Sequence, residues 1–447
     1  MPSRSARSAR LKLRSQWRRV CTRLPQRGAG ARHGQITITR KGPGPCEGAR
    51  SCGRSARAAG SFTPGLEGPL IRPGDFVVVE ASELDALLGV LRERGHAVVG
   101  PTVRDGAIVL DLIERAAELP AGWTDEQDGG RYRLKRREDG ALFGHALGPH
   151  SWKRWLHPPT LVRWRARRTD GGFTAEPPGS PPPKYAFLGV RPCELAAIAA
   201  QDRVFLGGPF VDPAYSGRRE AVLLVAVQCA SPGGTCFCAS AGTGPRASSG
   251  FDLALTEVVD RGRHRFVVEV GSERGAEVAA ATPHRPAKEA DLEAAAAATD
   301  GAAARMGRAL EAEGLQEAMY RRYEDPPWDE VGRRCLGCAN CTMVCPTCFC
   351  ATVEDATDLL GQSTERRRVW DSCFSQEFSY VHGGSVRTSA GARYRQWITH
   401  KLATWQDQFG VRGCVGCGRC ITWCPVGIDI TAEARAIHPG DAEGSRP

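Results

Sequence analysis

The 447-residue sequence lacks a long apolar run. The longest one, about residues 221–227, is far shorter than the roughly 20 residues that a membrane-spanning helix needs. No G-x-G-x-x-G motif stands after a predicted strand and no phosphate-binding loop motif is present. The C-x3-C spacing occurs only inside the two cysteine arrays described below, so no separate sirohaem-type pair of C-x5-C with C-x3-C is present. A C-x-x-C-H haem motif and the terminal C-x-x-C pairs of a nickel site are missing. The sequence therefore predicts no membrane span, no nucleotide site and no substrate-activating centre of these kinds.

Acidic side chains are nearly missing from the first 72 residues, where 16 Arg and Lys stand against two acids. The rest of the chain holds 44 basic and 48 acidic side chains, so the net charge of +10 originates in this segment. Residues 1–72 are rich in Arg, Ser, Gly and Pro without a sustained period, which predicts a disordered basic extension that cluster binding does not need. A nucleic-acid-binding arm and a twin-arginine export signal at Arg18-Arg19 are alternatives. No motif organises the charge and no apolar region follows, so we expect neither nucleic-acid binding nor export.

Order is predicted to begin at residue 73. Strands and helices are mixed over residues 73–286, which predicts an α+β or α/β domain. The predicted strands include residues 75–80, 185–190, 221–228, 253–259 and 265–270, and the predicted helices cover 82–91 and a segment from about 194. A Gly/Pro-rich loop is predicted over residues 165–184, and the alanine-rich stretch 287–304 is predicted to be a helical linker. Residues 305–447 are predicted to form a mostly helical, ferredoxin-like domain with an insert at 351–413.

Cysteine is unusually abundant, with 18 residues in the chain and 11 of them between Cys335 and Cys424. They stand in short C-x-x-C spacings and are not spread out as in a disulfide framework. In a chain of this size, such a pattern indicates metal binding in a reducing compartment, and we expect a cytoplasmic protein.

Two cysteine arrays share the spacing C-x2-C-x2-C-x3-C-P, which is that of bacterial ferredoxins with two [4Fe–4S] clusters. In that pattern, the first three cysteines of an array bind one cluster and the fourth binds the other. We therefore predict two [4Fe–4S] clusters, named here cluster 1 (Cys335, Cys338, Cys341 and Cys424) and cluster 2 (Cys414, Cys417, Cys420 and Cys345). Structural zinc is the alternative, but it would leave two cysteines of each array unexplained.

Four further cysteines occupy suggestive places in the first domain. Cys193 follows the predicted strand 185–190, Cys229 follows the strand 221–228, and Cys236 and Cys238 lie in the glycine-rich loop after it. If the two strands are parallel neighbours, their carboxyl ends converge on one crevice. Cys193, Cys229, Cys236 and Cys238 would then form a third metal site that holds another iron–sulfur cluster. The alternative is that they are buried packing residues.

Three other cysteines, Cys348, Cys350 and Cys373, belong to neither array. Cys348 and Cys350 repeat the T-C-F-C motif of residues 235–238 immediately after the first array. Two interpretations stay open: they line the cavity of cluster 2, or they join Cys373 around a further site.

Most of residues 75–430 resembles the β subunit of cytoplasmic sulfhydrogenases and the iron–sulfur subunit of anaerobic sulfite reductases. The segments that carry the resemblance are GVRPCELAAI (189–198), TCFC (235–238), GFDLALTE (250–257), RCLGCANCTMVCPTCFC (334–350), WDSC (370–373), HK (400–401) and CVGCGRCITWCPVGIDI (414–430). The resemblance implies that the chain is an iron–sulfur electron-transfer subunit. It also implies two partners: one is a flavin/nucleotide-binding reductase subunit, and the other is a separate hydrogenase or sulfite reductase catalytic subunit.

Two functions are therefore compared. In the first, the chain is a non-catalytic electron conduit within an oxidoreductase complex. In the second, it is a reductase with its own active centre at an additional cluster in the α/β domain. The absence of the sirohaem, haem and nickel motifs favours the conduit.

Overall fold

The computed structural model describes residues 70–146, 148–176, 183–260, 262–324 and 327–438. Apart from its last three residues, the predicted basic extension 1–72 lies outside this part of the chain. The described strands are β1 (Phe76–Glu80), β2 (Ala97–Arg104), β3 (Ala107–Leu112), β4 (Trp123–Asp128), β5 (Arg131–Arg136), β6 (Thr160–Thr169), β7 (Gly172–Glu176), β8 (Tyr185–Val190), β9 (Leu223–Val227), β10 (Leu253–Asp260), β11 (Arg263–Val270), β12 (Arg285–Pro286), β13 (Ala351–Thr357), β14 (Ser363–Trp370), β15 (Tyr380–Val381) and β16 (Gly384–Ser385).

Helices alternate with these strands in the first half of the chain and dominate its C-terminal part. They are α1 (Leu84–Glu93), α2 (Lys153–Leu156), α3 (Pro192–Phe205), α4 (Pro213–Ala221), α5 (Glu273–Ala281), α6 (Glu289–Ala304), α7 (Leu315–Arg321), α8 (Pro327–Arg334), α9 (Asn340–Met343), α10 (Ala390–Thr399), α11 (Trp405–Phe409), α12 (Arg419–Thr422) and α13 (Ile430–Ile437). A π-helical turn, His400–Thr404, joins α10 to α11. Among the described residues, no helix is both long and apolar enough to cross a membrane.

The larger sheet has eight strands in the order β12-β1-β11-β10-β9-β8-β2-β3. Its four central strands, β10, β9, β8 and β2, are parallel, and the outer pairs are antiparallel. The third metal site was predicted on the condition that the strands before Cys193 and Cys229 are parallel neighbours. These strands, β8 and β9, are parallel neighbours, and their carboxyl ends lie at the same sheet edge.

Both faces of this sheet are buried, which explains why β9 is a continuous apolar run. Leu223, Val225 and Val227 belong to the core that includes the leucines of α1. Leu224 and Ala226 point to the opposite core, built around Trp152 and residues of α3. A mixed sheet with helices on both faces, followed by a mostly helical region, confirms the predicted fold class.

The second sheet corrects one sequence prediction. The segment 165–184 was expected to be a loop, but residues up to 176 form the ends of the hairpin β6–β7. This hairpin extends the pair β13–β14 to give the antiparallel order β13-β14-β6-β7. Arg165 Nε donates to Glu365 Oε1 at 2.8 Å across the β6–β14 pair. The loop prediction was wrong because β6 obtains its partner strand from about 200 residues further along the chain.

The C-terminal helices share a core of their own around Trp328, Phe374, Trp397 and Leu402. The alanine-rich stretch predicted as a linker is helix α6, which contacts β10 and β11 of the larger sheet. The predicted boundaries of the domains remain predictions.

Candidate iron–sulfur centres

Each ferredoxin-type array forms a loop that ends in a short helix, α9 or α12. The loops contain matching left-handed residues: Gly337 (φ +63°) and Ala339 (φ +65°) in the first array, Gly416 (φ +64°) and Gly418 (φ +72°) in the second. Glycine adopts this conformation without steric cost, whereas alanine is disfavoured there. The same turn chemistry at the same two positions gives both arrays the same local shape.

The first cavity brings together the four cysteines that the sequence assigns to cluster 1. Its wall contains Cys335, Cys338 and Cys341 from the first array and Cys424 from the second. Two backbone amides point at these sulfurs: Gly337 N donates to Cys335 Sγ at 3.4 Å and Ile428 N to Cys424 Sγ at 3.3 Å. Aromatic side chains complete the wall and limit the access of water; they are Phe374, Tyr394 and Trp397.

The second cavity has the reciprocal composition. It is lined by Cys414, Cys417 and Cys420 from the second array and Cys345 from the first. Burial raises the pKa of Cys414 to about 12. The free thiol is therefore protonated at neutral pH, and iron binding would release a proton because only the thiolate is a ligand. Cys420 lines both this cavity and the first one, so the two cavities are immediate neighbours.

The third cavity contains all four cysteines of the predicted third site. Cys193, Cys229, Cys236 and Cys238 line it together with mostly apolar residues. Cys193 lies in the first turn of α3, Cys229 follows β9, and Cys236 and Cys238 lie in the loop after it. The sheet edge thus brings together residues that are up to 45 positions apart in the sequence.

Comparison with known proteins shows what this chain and its C-terminal region are similar to. Residues 334–428 match a family model described as a 4Fe-4S dicluster domain. The chain is also 34% identical over 260 residues to sulfhydrogenase 2 subunit beta of Pyrococcus furiosus, an alignment that covers 58% of this chain and 75% of the relative. No solved structure matches the chain.

The chain belongs to the sulfhydrogenase β-subunit family. As a family member with a dicluster domain, it is an iron–sulfur electron-transfer subunit with two [4Fe–4S] clusters. The thiols on the two array cavities fit this cofactor, since a [4Fe–4S] cube takes four cysteine thiolates. Within the described residues, no three His, Cys, Asp or Glu side chains are placed to hold a single metal ion.

A lysine of this family member lies in the wall of the second cavity, and sequence analysis assigned no role to it. Lys401 is buried, and its Nζ donates to Thr347 Oγ1 at 2.6 Å and to Gly413 O at 3.0 Å. Burial by itself lowers the pKa of Lys401, but Coulombic attraction to the ionised side chains of Cys345 and Cys348 raises it above its usual value. A positive charge is therefore held beside the cysteines of the second cavity.

The cysteines without an assigned role form two contacts. Cys348 lies against Cys345, and Cys350 lies against Cys373. The two interpretations of Cys348 and Cys350, that they line the cavity of cluster 2 or that they join Cys373 around a further site, stay predictions. Lys153, another buried lysine, approaches the same region and lies 3.9 Å from the ring centroid of Trp370. No sequence motif marks Lys153, because its place follows from the packing of α2 against residues almost 200 positions later.

A buried ion pair connects the second array to the larger sheet. Arg419 Nη2 lies 2.6 Å from Glu194 Oε1, and the two side chains are only 1% and 2% exposed. Arg419 also donates to the carbonyl oxygens of Gly148 and His150, and Glu194 accepts a hydrogen bond from Trp152. Sequence reasoning missed this pair, since Arg419 and Glu194 are 225 residues apart.

Proposed function

We propose that this chain passes single electrons from one partner subunit to another, the first of the flavin/nucleotide-binding reductase type and the second of the hydrogenase type. Cluster 1 is held by Cys335, Cys338, Cys341 and Cys424, and cluster 2 by Cys414, Cys417, Cys420 and Cys345. A bound [4Fe–4S] cluster supplies reversible one-electron chemistry. The residues of the chain position it, keep water away and set the charge around it.

The composition of the two array cavities supports this proposal most strongly. Each contains three thiols from one array and the fourth from the other, which is the ligand exchange of a two-cluster ferredoxin. The shared Cys420 keeps the cavities adjacent, as a chain of one-electron centres requires.

Exposure differs between the two centres. Cys338 is exposed, and Leu336 beside it is 65% exposed, so the first cavity lies near the protein surface. Cys414, Cys417 and Cys420 are less accessible, and Lys401 and Phe237 cover the second cavity. This arrangement supports cluster 1 as the centre that exchanges electrons with a partner protein.

The name of the Pyrococcus furiosus relative, sulfhydrogenase 2 subunit beta, supports a hydrogenase-type complex. In such a complex the present chain would connect the other subunits without making or breaking substrate bonds. The alternative, a reductase with its own active centre in the α/β domain, predicts turnover by the isolated chain.

The test compares the anaerobically reconstituted chain alone with the same chain co-purified with its partners. Alone, it should show broad visible absorbance that dithionite bleaches, but no hydrogen or sulfite turnover. In the complex, turnover should be lost when Cys335→Ala and Cys414→Ala remove the clusters. Hydrogen or sulfite turnover by the isolated chain would contradict the conduit function.

A further inference from the structure

We propose that Cys193, Cys229, Cys236 and Cys238 bind a third iron–sulfur cluster, and that cluster 2 is the middle member of a row of three. The proposal of a third cluster depends only on these four cysteines and their surroundings. The order of the three clusters depends also on the ligand sets proposed for clusters 1 and 2.

The fold brings the four thiols together without any local sequence motif that spans them. Val190 of β8 pairs with Ala226 of β9 in parallel register, and Cys193 and Cys229 follow these two strands within three residues. The loop after Cys229 returns Cys236 and Cys238 to the same crevice. Parallel sheets bind ligands at the carboxyl ends of their strands, so the position is that of a binding site.

The residues that line the cavity are better explained by a bound iron–sulfur cluster than by a role of the four cysteines in core packing. Besides the four cysteines it contains Ala146, Arg191, Pro192, Pro232, Pro245 and Met306. None of these described lining residues carries a carboxylate or an imidazole, so thiols are the metal ligands that this wall offers. Cys193 and Cys238 also pack together, but a cavity remains among the four cysteines, which close packing alone would normally have filled.

Arg191 lines the third cavity and places a positive charge there, which favours an anionic four-thiolate cluster, whereas the charge of Arg419 is balanced by Glu194. The buried guanidinium of Arg191 donates to the backbone oxygens of Phe143, His145 and Gln228, all neutral acceptors. Arg419 is close enough to Cys193 and Cys417 to interact electrostatically with both. Its buried Nη1 has no hydrogen-bond partner among the residues that the structure describes. A cluster sulfur would supply the missing acceptor.

The third cavity directly adjoins the second. Phe237 N donates to Gly416 O at 2.8 Å, and Thr243 Oγ1 donates to Val415 O at 2.7 Å. The thiol of Cys236 lies 3.9 Å from the carbonyl oxygen of Cys417. Since Cys420 connects the first and second cavities, the centres form a row in which cluster 2 separates cluster 1 from the third cluster. One electron can then move along the row, oxidising one cluster as it reduces its neighbour.

Iron and acid-labile sulfide in the anaerobically reconstituted full chain test the third site. Three clusters require about 12 iron atoms per chain and two require about 8, at four per cube. We expect about 12 for the wild type and about 8 for Cys236→Ser/Cys238→Ser. The matched control, Cys21→Ser/Cys46→Ser, changes two cysteines of the segment 1–72 that belong to no array and to no proposed site, and should keep about 12.

A wild-type value of about 8 would overturn the third site, whether or not the double variant folds. The proposed function would still stand in that case, because it depends on the eight array cysteines. It would fail separately if Cys335→Ala and Cys414→Ala lost no iron.

Electron paramagnetic resonance of the fully reduced chain tests whether cluster 2 lies between cluster 1 and the third cluster. Removal of the third cluster should simplify the spin-coupled signal of cluster 2, identified as the signal that Cys417→Ala abolishes. A change confined to the signal that Cys338→Ala abolishes would overturn the order.

Discussion

At the scale of single residues, Lys401 is a buried cation in the wall of the cavity proposed for cluster 2. Its ammonium group is buried, bonded to Thr347 and the Gly413 carbonyl, and it faces the cavity that contains Cys345 and Cys414. A reduced cluster carries one more negative charge than an oxidised one. A nearby fixed cation therefore stabilises the reduced form and raises the reduction potential.

Lys401→Met should lower the reduction potential of cluster 2, since the uncharged side chain keeps most of the packing but removes the cation. Coulomb's law at an effective dielectric constant near 20 gives a shift on the order of 50–100 mV. A potentiometric titration followed by electron paramagnetic resonance measures it. The control is Lys184→Met, a change of an exposed lysine, which should leave the potential unaltered. If Lys401→Met and Lys184→Met had the same reduction potential for cluster 2, Lys401 would not have the proposed effect on that potential.

The Arg419–Glu194 pair is also a residue-scale feature with a large expected effect. Loss of one member of a buried pair leaves an uncompensated buried charge, which costs about 3–5 kcal/mol. Glu194→Gln should therefore lower the denaturant midpoint strongly. Asp355→Asn is the control, because its partner Arg366 and Asp355 are 47% and 55% exposed, and exposed pairs contribute about 0–1 kcal/mol. Similar midpoints for the two variants would show that the buried pair does not anchor the second array.

At the scale of elements, the two array loops have the same backbone but different neighbours. A Cβ atom at Gly418 would stand 2.5 Å from the carbonyl oxygen of Thr235, while one at Gly337 would meet only the end of Arg393 at 3.7 Å. The second loop is therefore wedged against the loop that carries Cys236 and Cys238, whereas the first has room.

Gly418→Ala and Gly337→Ala compare one left-handed glycine from each array, at the fifth position of the second loop and the third position of the first. Both place alanine in the left-handed region, which costs about 1–2 kcal/mol. Only Gly418→Ala also forces the backbone at Thr235 to move. It should lower the unfolding midpoint further and reduce the iron content, whereas Gly337→Ala should keep its iron. Anaerobic unfolding with parallel iron analysis measures both effects, and equal losses in the two variants would contradict the close contact of the loops.

Sequence patterns predicted the elements whose signal is local. The apolar runs at residues 185–190 and 253–259 are strands, and the alanine-rich stretch is a helix. The helix predicted over residues 82–91 is found at Leu84–Glu93, after a 3₁₀ turn at Ala81–Glu83. Such boundaries depend on hydrogen-bond geometry that composition does not determine.

At the scale of the whole molecule, the cysteine arrays could be predicted from the sequence, whereas the buried charged side chains around them could not. Array spacing predicts the four ligands of each cluster, because a fixed loop geometry encodes them, and each predicted set lies together in one cavity. The buried charges around the cavities could not be predicted. Lys153, Arg191 and Arg419 reach their places through contacts between segments that are far apart in the chain, and no short motif records such contacts.

The central claim is that the two arrays exchange their fourth ligands across 79 residues of sequence. Electron paramagnetic resonance of Cys345→Ala, compared with Cys335→Ala and Cys414→Ala, tests it most directly. Cys345→Ala should perturb the same cluster signal as Cys414→Ala and spare the one that Cys335→Ala removes. If Cys345→Ala and Cys335→Ala removed the same signal, each array would hold its own cluster and the account would be contradicted.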